Sequence, residues 1–325
     1  MSTSPATPTP EQVLRRLEWT VLRRLDGLLH GDYRSLFRGE GMDLADLREY
    51  QYADDVRHID WNVTARLQVP HVREYHEDRE LAAWFVLDLS GSVEFGSGAA
   101  NKRAIATEFT ALLARALTRR GNRVGAILYG QAVEAVLPPR SGRAQVLQLL
   151  SRINRRPAAA AHGRGTDLRT LIGTALQVVR RRSLVFVVSD FISAPGWDRP
   201  LAQLAQRNEV VAIRLIDPLE RVLPDLGLVL MQDAETGEQV YVDTGDAAFR
   251  RRFEAAAQAR EEALFAAFGN AGVDALELAT DDDLLASVMR FAEMRKRRAQ
   301  RSGAATAGVR SRLAADLAGH LERAT

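Results

Sequence analysis

The sequence predicts a doubly wound α/β domain with a mainly parallel sheet and one antiparallel edge strand. Two continuous apolar runs, residues 82–87 and 184–188, are bounded by small polar residues. Such runs are typical of strands that are buried on both faces of a parallel sheet. From residue 82 onward, strand patterns alternate with helix patterns. This alternation indicates parallel strands that are joined by crossover helices.

The individual elements follow in order along the chain. Residues 102–120 show the apolar spacing of an amphipathic helix. Residues 123–129 and 132–137 flank a tight turn and predict a hairpin, which supplies the antiparallel edge strand. Further helices are predicted at 145–153, 166–181, 200–207, 247–268 and 281–295, and further strands at 210–216, 228–231, 239–242 and 273–278. Asp167 is expected in the first turn of its helix, where a carboxylate meets the positive end of the helix dipole.

The composition is that of a folded, soluble protein. The chain has 325 residues, of which 46% are apolar and 26% are charged, enough for one large α/β domain and a smaller second unit. No apolar run reaches the roughly 18 residues of a membrane span, and the first residues lack a signal-peptide pattern. The absence of cysteine excludes disulfides and fits a cytoplasmic protein. A net charge of only +2 does not indicate a globally cationic nucleic-acid binder.

The regions outside the α/β domain differ in composition. Residues 1–10 are predicted to be a disordered lead, 11–80 an N-terminal helix with an accessory segment, 81–296 the α/β domain, and 297–325 a basic flexible tail. The helix at 11–30 carries one apolar stripe with arginines opposite. We expect it to dock on the domain, with partner binding as the alternative.

Oxygen-bearing side chains follow the two apolar strands. Asp88, Ser90 and Ser92 leave the first strand, Asp190 ends the second, and Thr166 lies on a glycine-rich loop that opens a helix. Because the carboxyl ends of parallel strands meet at one sheet edge, these five residues are expected to converge. Carboxylate and hydroxyl oxygens suit a hard cation, here Mg²⁺, although Mn²⁺ and Ca²⁺ accept the same ligands.

Aspartate and serine are also ordinary turn residues, so the first loop alone fits a capped strand-to-helix turn equally well. The whole set, in its order along the chain, resembles the metal-ion-dependent adhesion site (MIDAS) of von Willebrand factor A domains, which are Rossmann-like in fold. The resemblance implies that Asp88, Ser90, Ser92 and Thr166 ligate the ion directly, and Asp190 directly or through water. An acidic side chain of a partner would then fill an open position on the ion. This chemistry is recognition rather than catalysis.

A second cluster of acidic, basic and aromatic residues precedes the first apolar strand. Its members are Asp43, Arg48, Tyr50, Asp54, Asp55, Arg57, Asp60, Trp61, Arg66 and Arg73. Their mixture predicts arginine–carboxylate pairs that fix an irregular segment against the sheet, with Trp61 as a packing residue. Their order resembles the domain of unknown function 58 family over roughly residues 35–295. Members of that family carry a von Willebrand A domain behind this signature and are thought to work beside MoxR-type AAA+ ATPases.

The chain departs from that family pattern at three positions. Ala53 replaces a usual glycine, which disfavours a positive φ there. Val93 replaces a usual methionine, and the following Glu94 adds a carboxylate that is expected near the site. Many relatives also carry N-terminal membrane spans, and no such span is predicted here.

We therefore expect a bacterial, non-catalytic, Mg²⁺-dependent adaptor that binds a MoxR-type ATPase and a client protein in chaperone-like assembly or maturation. An enzyme is not expected, because the sequence shows neither a nucleophile–base pair nor a P-loop. The alternatives are a Mg²⁺-dependent hydrolase and a nucleic-acid binder that uses the basic tail. The second lacks aromatic residues between the tail arginines, which base stacking would need.

Overall fold

The structure is a computed structural model that describes residues 9–12, 47–51, 59, 61–73, 82–98, 100–155, 165–233, 236–295 and 297–298. The chain divides into two compact units, of which the smaller is Gly39–Leu81. The predicted helix at 11–30, apart from its first two residues, and the tail beyond residue 298 lie outside the described residues.

The secondary structure elements carry labels in chain order. The strands are β1 (Leu47–Glu49), β2 (His71–Arg73), β3 (Ala82–Asp88), β4 (Arg123–Tyr129), β5 (Val133–Arg140), β6 (Leu184–Ser189), β7 (Glu209–Ile216), β8 (Leu228–Gln232), β9 (Gln239–Asp243) and β10 (Asp274–Ala279). The helices are α1 (Trp61–Leu67), α2 (Lys102–Arg119), α3 (Arg143–Asn154), α4 (Leu168–Val178), α5 (Asp198–Arg207), α6 (Ala247–Ala271) and α7 (284–295).

The larger unit contains a six-stranded sheet in the order β10-β7-β6-β3-β4-β5. All neighbouring strands are parallel except β4 and β5, which form the predicted hairpin at one edge. Strands β8 and β9 pair separately as the second predicted hairpin. The predicted fold class is confirmed, and each predicted strand and helix from residue 82 to 295 is present.

Helices cover both faces of the sheet. On one face, Phe85 of β3 stacks on Phe186 of β6 with ring centroids 5.1 Å apart, and Phe109 of α2 meets Phe186 edge-on at 5.8 Å. On the other face, Trp84 belongs to a separate buried cluster with residues of α4, α5 and α6. Because β3 is buried on both sides, its sequence is continuously apolar rather than alternating.

The boundaries of several helices differ from the prediction. Helices α3 and α5 each begin two residues earlier than expected, α4 ends three residues earlier, and α6 ends three residues later. Helix α4 begins at Leu168, two residues later than expected, because Asp167 is its N-cap rather than a first-turn residue. The Asp167 carboxylate accepts hydrogen bonds from the backbone N–H groups of Arg169 and Thr170, at 3.0 and 3.4 Å, and so satisfies two of the free donors of the first turn. Helix α7 begins at residue 284 instead of 281, after a turn.

The smaller unit has short regular elements within the segment that was predicted to be irregular. Strands β1 and β2 pair antiparallel, and the N–H of Tyr50 donates to the carbonyl oxygen of Pro70 at 2.8 Å. Thr64 of α1 fixes the following turn, since its hydroxyl accepts from the N–H of His71 at 3.0 Å and its carbonyl oxygen from the N–H of Gln68 at 2.8 Å. None of the helices that the structure describes combines the length and the apolar character of a membrane span.

Candidate functional site

The two acidic residues of the predicted site leave neighbouring strands at one sheet edge. Asp88 is the last residue of β3, and Asp190 directly follows β6. The two strands are parallel, with Leu87 opposite Val188. The chain continues from β3 to β4 on one side, while β6 lies on the other. Between β3 and β6 the strand order therefore reverses, and in open α/β sheets ligands bind outside the carboxyl ends of strands at such a point.

The first loop brings three predicted ligands into direct contact. Asp88 Oδ1 accepts a hydrogen bond from the N–H of Ser90 at 3.0 Å, which folds the loop back over the strand end. The hydroxyl oxygens of Ser90 and Ser92 lie 3.2 Å apart. All three side chains are buried. The sequence pattern of one carboxylate and two hydroxyls at alternate positions thus becomes one compact cluster of hard oxygens.

Ser189 joins the first loop to the second. Its hydroxyl donates to Asp88 Oδ2 at 2.7 Å and accepts from the N–H of Phe191 at 2.9 Å. Phe191 has a positive φ of 59°, which is uncommon for a large side chain. Its ring packs against Trp197 and Phe268, with centroids 5.4 and 4.9 Å away, and this packing holds the strained backbone in place. The second loop is therefore fixed next to the Asp88 carboxylate.

The carboxyl groups of Asp88 and Asp190 are close enough to influence each other. Burial raises the pKa of Asp88 to about 6, and the negative charge of Asp190 acts in the same direction. The hydrogen bonds from Ser189 and Ser90 partly oppose this rise. Removing two carboxylates from water without a neutralising cation is costly, so the pair favours a positive charge nearby.

A buried lysine, Lys102, provides one such charge. Lys102 is the first residue of α2, and its ammonium group donates to Asp190 Oδ2 at 2.7 Å and to Glu220 Oε1 at 2.6 Å. Burial alone would lower the pKa of Lys102, but the two carboxylates outweigh burial and raise it. The other oxygen of Asp190 accepts from the N–H of Ile192 at 3.0 Å. The Asp190 carboxylate is thus fixed from both sides.

The third predicted loop is tied to the second through the backbone of Thr166. The carbonyl oxygen of Thr166 accepts from the Ser193 hydroxyl at 2.9 Å and from the N–H of Ala194 at 3.2 Å. Ser193 also caps α4, because its hydroxyl accepts from the N–H of Leu168 at 3.0 Å. The Thr166 side chain is buried. The structure thus brings all three predicted loops to the same edge of the sheet.

Glu94 is ion-paired within its own neighbourhood. Its carboxylate accepts from the guanidinium of Arg103, which also donates to the carbonyl oxygen of Ile153 at 2.7 Å. The carboxylate of Glu94 therefore has a partner on α2. The neighbouring Val93 is fully buried. Glu94 stabilises the loop instead of adding a further free charge to the Asp88 cluster.

The structure describes only part of the second predicted cluster. Arg48 and Arg73 lie on the paired strands β1 and β2, with Arg48 opposite Val72. Trp61 begins α1 and is 70% exposed within the described structure, and its predicted packing onto the sheet stays a prediction. Arg66 is in the last turn of α1. The acidic members Asp43, Asp54, Asp55 and Asp60, together with Arg57, fall outside the described residues, as does Ala53.

The sequence interpretation missed Lys102, Ser189 and Glu220. A signal for Lys102 was present, since it lies three and seven residues before Ile105 and Phe109 and so shares the apolar side of α2. A charged residue on the buried side of a helix requires a partner. Glu220 is distant in sequence and gave no comparable signal.

The donors at this edge fit a hard divalent cation. They comprise two buried carboxylates and buried hydroxyl groups, the oxygen ligands that Mg²⁺, Mn²⁺ and Ca²⁺ take. Among the residues that the structure describes, no group of three or more His, Cys, Asp or Glu side chains is placed to hold a metal. The predicted set has only two carboxylates, and its other members are hydroxyls.

The strand order, the antiparallel edge hairpin and the helices on both faces define a doubly wound α/β domain. The chain belongs to the family described as protein of unknown function DUF58, whose family model matches residues 46–263.

The chain is also similar to several known proteins and solved structures. The uncharacterized proteins Mb1516 of Mycobacterium bovis and Rv1480 of Mycobacterium tuberculosis are each 40% identical over 290 residues, covering 89% of this chain and 91% of the relative. An aerotolerance-related membrane protein from Bacteroides fragilis superposes with a TM-score of 0.46 at 12% identity, covering 67% of this chain and 99% of that chain. The protein BatB from Bacteroides thetaiotaomicron gives a TM-score of 0.44 at 12% identity with the same coverages.

Proposed function

We propose that this chain is a non-catalytic, cytoplasmic adaptor that binds a partner protein through a divalent cation. Asp88, Ser90, Ser92, Thr166 and Asp190 would hold the cation, which we take to be Mg²⁺, with Mn²⁺ or Ca²⁺ as alternatives. When bound, the cation would supply a positive charge that orients a carboxylate of the partner. The arrangement would then be a MIDAS.

One observation carries the proposal. The Asp88 carboxylate, with the hydroxyls of Ser90 and Ser92 beside it, lies next to the Asp190 carboxylate at the switch point of the sheet. Ser189, the last residue of β6, holds this cluster in place, because its hydroxyl donates to Asp88 and accepts from the N–H of Phe191. A buried, net-acidic cluster of oxygen atoms is suited to the binding of a hard cation.

The proposed partner is a MoxR-type AAA+ ATPase, whose work the adaptor would pass to a client protein. Membership in the DUF58 family supports this pairing, because the resemblance to that family implies a partner of this kind. An acidic side chain of the ATPase or of the client would complete the cation's ligand set.

Thermal unfolding of the purified chain tests the metal site. We expect the melting temperature to rise with Mg²⁺, Mn²⁺ or Ca²⁺ and to fall back with EDTA, because a ligand of the folded state stabilises it by about 2.7 kcal/mol at 100 times its Kd. Asp88→Ala and the isosteric Asp88→Asn should lose this rise. No rise with any of the three ions in the wild-type chain would contradict the proposal.

Asp243 offers a matched control. It also ends a strand, and its Oδ1 accepts from the N–H two residues further on, at 2.9 Å, as Asp88 does with Ser90. Asp243→Ala should keep the cation response. A pull-down with the MoxR-type ATPase should then retain the ATPase in Mg²⁺ and lose it in EDTA or with Asp88→Asn. Equal retention by wild type and Asp88→Asn would exclude this site as the contact.

A further inference from the structure

The position of Lys102 is unfavourable for a lysine on three counts. Its side chain is 1% exposed. It begins α2, where the helix dipole is positive and disfavours a cation. A buried ammonium group is also strongly destabilising unless it is well paired. Helix stability therefore does not explain why a lysine is present at this position. The explanation must lie in the groups that pair with its charge.

Those groups lie at the proposed metal site. The ammonium group bonds Asp190 Oδ2 and Glu220 Oε1, and the ring of Phe95 lies 5.9 Å from Nζ. The Asp88 carboxylate is held differently, by the N–H of Ser90 and the hydroxyl of Ser189, both uncharged. Two neighbouring buried carboxylates thus have unequal surroundings, since Asp190 has an internal cation as its partner and Asp88 has neutral donors.

The unequal surroundings determine the electrostatics of the site. Lys102 is shared by Asp190 and Glu220, so the three carboxylates of Asp88, Asp190 and Glu220 and the one ammonium group carry a net formal charge of −2. A dication that binds at Asp190 would approach the Lys102 ammonium, whose positive charge repels it. Without the lysine charge, the same carboxylates would attract the dication more strongly.

We propose that Lys102 limits the cation affinity of the site. Its ammonium group bonds Asp190 Oδ2 and places a positive charge beside the bound cation, which weakens cation binding. The inference rests on the proposed function and deepens it, because it names the residue that regulates cation binding at that site.

Lys102→Met tests the inference, since methionine keeps the length and apolar contacts of the side chain and removes the charge. The variant should be less stable than wild type in EDTA, because Asp190 loses its cation. Its affinity for Mg²⁺ and Mn²⁺, from calorimetric titration, should rise about tenfold or more, because a repulsive unit charge is gone. Unchanged or weaker affinity would overturn the inference.

A double variant separates charge from packing. Lys102→Met combined with Glu220→Gln removes one charge of each sign and keeps all five proposed ligands, so its cation affinity should return to within a few-fold of wild type. An affinity that stays as high as in Lys102→Met would contradict the charge argument. Arg119→Gln is the matched control, because Arg119 is a basic residue of the same helix but lies in its last turn, at the opposite end from Lys102. It should leave the affinity unchanged.

Failure of the inference differs from failure of the proposed function. If wild type binds a cation and Lys102→Met binds it equally, only the inference fails. If neither protein binds any ion, the metal site itself is wrong.

Discussion

Asp217 illustrates how a single buried carboxylate connects loops that are far apart in sequence. One of its oxygens accepts from the Ser97 hydroxyl at 2.7 Å, and the other accepts from the Thr280 hydroxyl at 2.7 Å. Asp217 also caps the short turn that carries Glu220, the second partner of Lys102. The carboxylate therefore stabilises the wall of the proposed site without belonging to it.

The stability of the fold should depend on pH through Asp217. Burial alone would raise the pKa of Asp217, but hydrogen bonds led by those from Ser97 outweigh it and lower the pKa. A carboxyl whose pKa is lower in the folded state stabilises the fold above the unfolded pKa of about 3.9, and this contribution is lost as the pH falls through the folded value.

Asp217→Asn should remove that contribution. We expect a loss of about 1–3 kcal/mol in the free energy of unfolding at neutral pH. The amide NH2 group of asparagine would take the place of one carboxylate oxygen, and this donor would then face the donor groups of Ser97 or Thr280. The difference in the free energy of unfolding between wild type and variant should shrink as the pH falls below about 4. Urea unfolding at several pH values measures this. A difference that stays constant down to the lowest pH would show that Asp217 does not titrate below its unfolded pKa.

The residue scale also shows where sequence interpretation ends. Asp88, Ser90 and Ser92 were predictable, because local spacing fixes which side chains leave a strand end together. The Lys102–Glu220 pair was not, because it joins residues that are 118 positions apart. Spacing along the chain contains no information about such a contact. Only the fold, which brings α2 next to the end of β7, creates it.

At the scale of elements, strand β4 is packed closely against its neighbours at Gly125. A Cβ atom added at Gly125 would lie 2.9 Å from the carbonyl oxygen of Leu137 and 3.0 Å from the Trp84 ring. The hairpin also has an irregular register here, between Val124 and Ala126. By contrast, a Cβ added at Gly173 within α4 meets nothing within 4 Å.

The same substitution should therefore have opposite effects at the two glycines. Gly125→Ala should destabilise the fold by about 1–3 kcal/mol, because backbone atoms of β5 must move. Gly173→Ala should stabilise it by about 0.5–1 kcal/mol, because alanine restricts the unfolded chain and favours a helix. Chemical denaturation of both variants tests the pair. Equal losses at both positions would mean that the close approach of β4 and β5 is not the cause.

Element types were more predictable than element ends. The apolar runs of β3 and β6 and the periodicity of α2 are long, so their type was clear from the sequence. The start of α4 was misplaced by two residues, because whether Asp167 caps the helix or begins it depends on backbone angles that its neighbours decide. The three short elements of the smaller unit were missed, since each is too short for a periodic pattern.

At the scale of the whole molecule, α7 closes the larger unit and is held to the sheet by ion pairs near its end. Arg295 donates to Glu209 of β7 at 2.7 Å and to Asp274 of β10 at 2.9 Å. Arg298 reaches Asp274 at 3.1 Å and is itself 67% exposed. Within the described residues, Arg298 is thus the last residue of this region that forms an ion pair with the sheet.

The sequence interpretation assigned residues 297–325 to a flexible basic tail, and this assignment leads to a test. Deleting residues 299–325 removes none of these pairs and should leave both the melting temperature and the cation-induced rise unchanged. Arg295→Gln in the full chain should instead lower the free energy of unfolding by about 1–3 kcal/mol, because it leaves Glu209 and Asp274 without their shared, largely buried partner. A truncation as destabilising as Arg295→Gln would show that the tail is part of the folded unit, and the domain boundary would then have to move beyond residue 298.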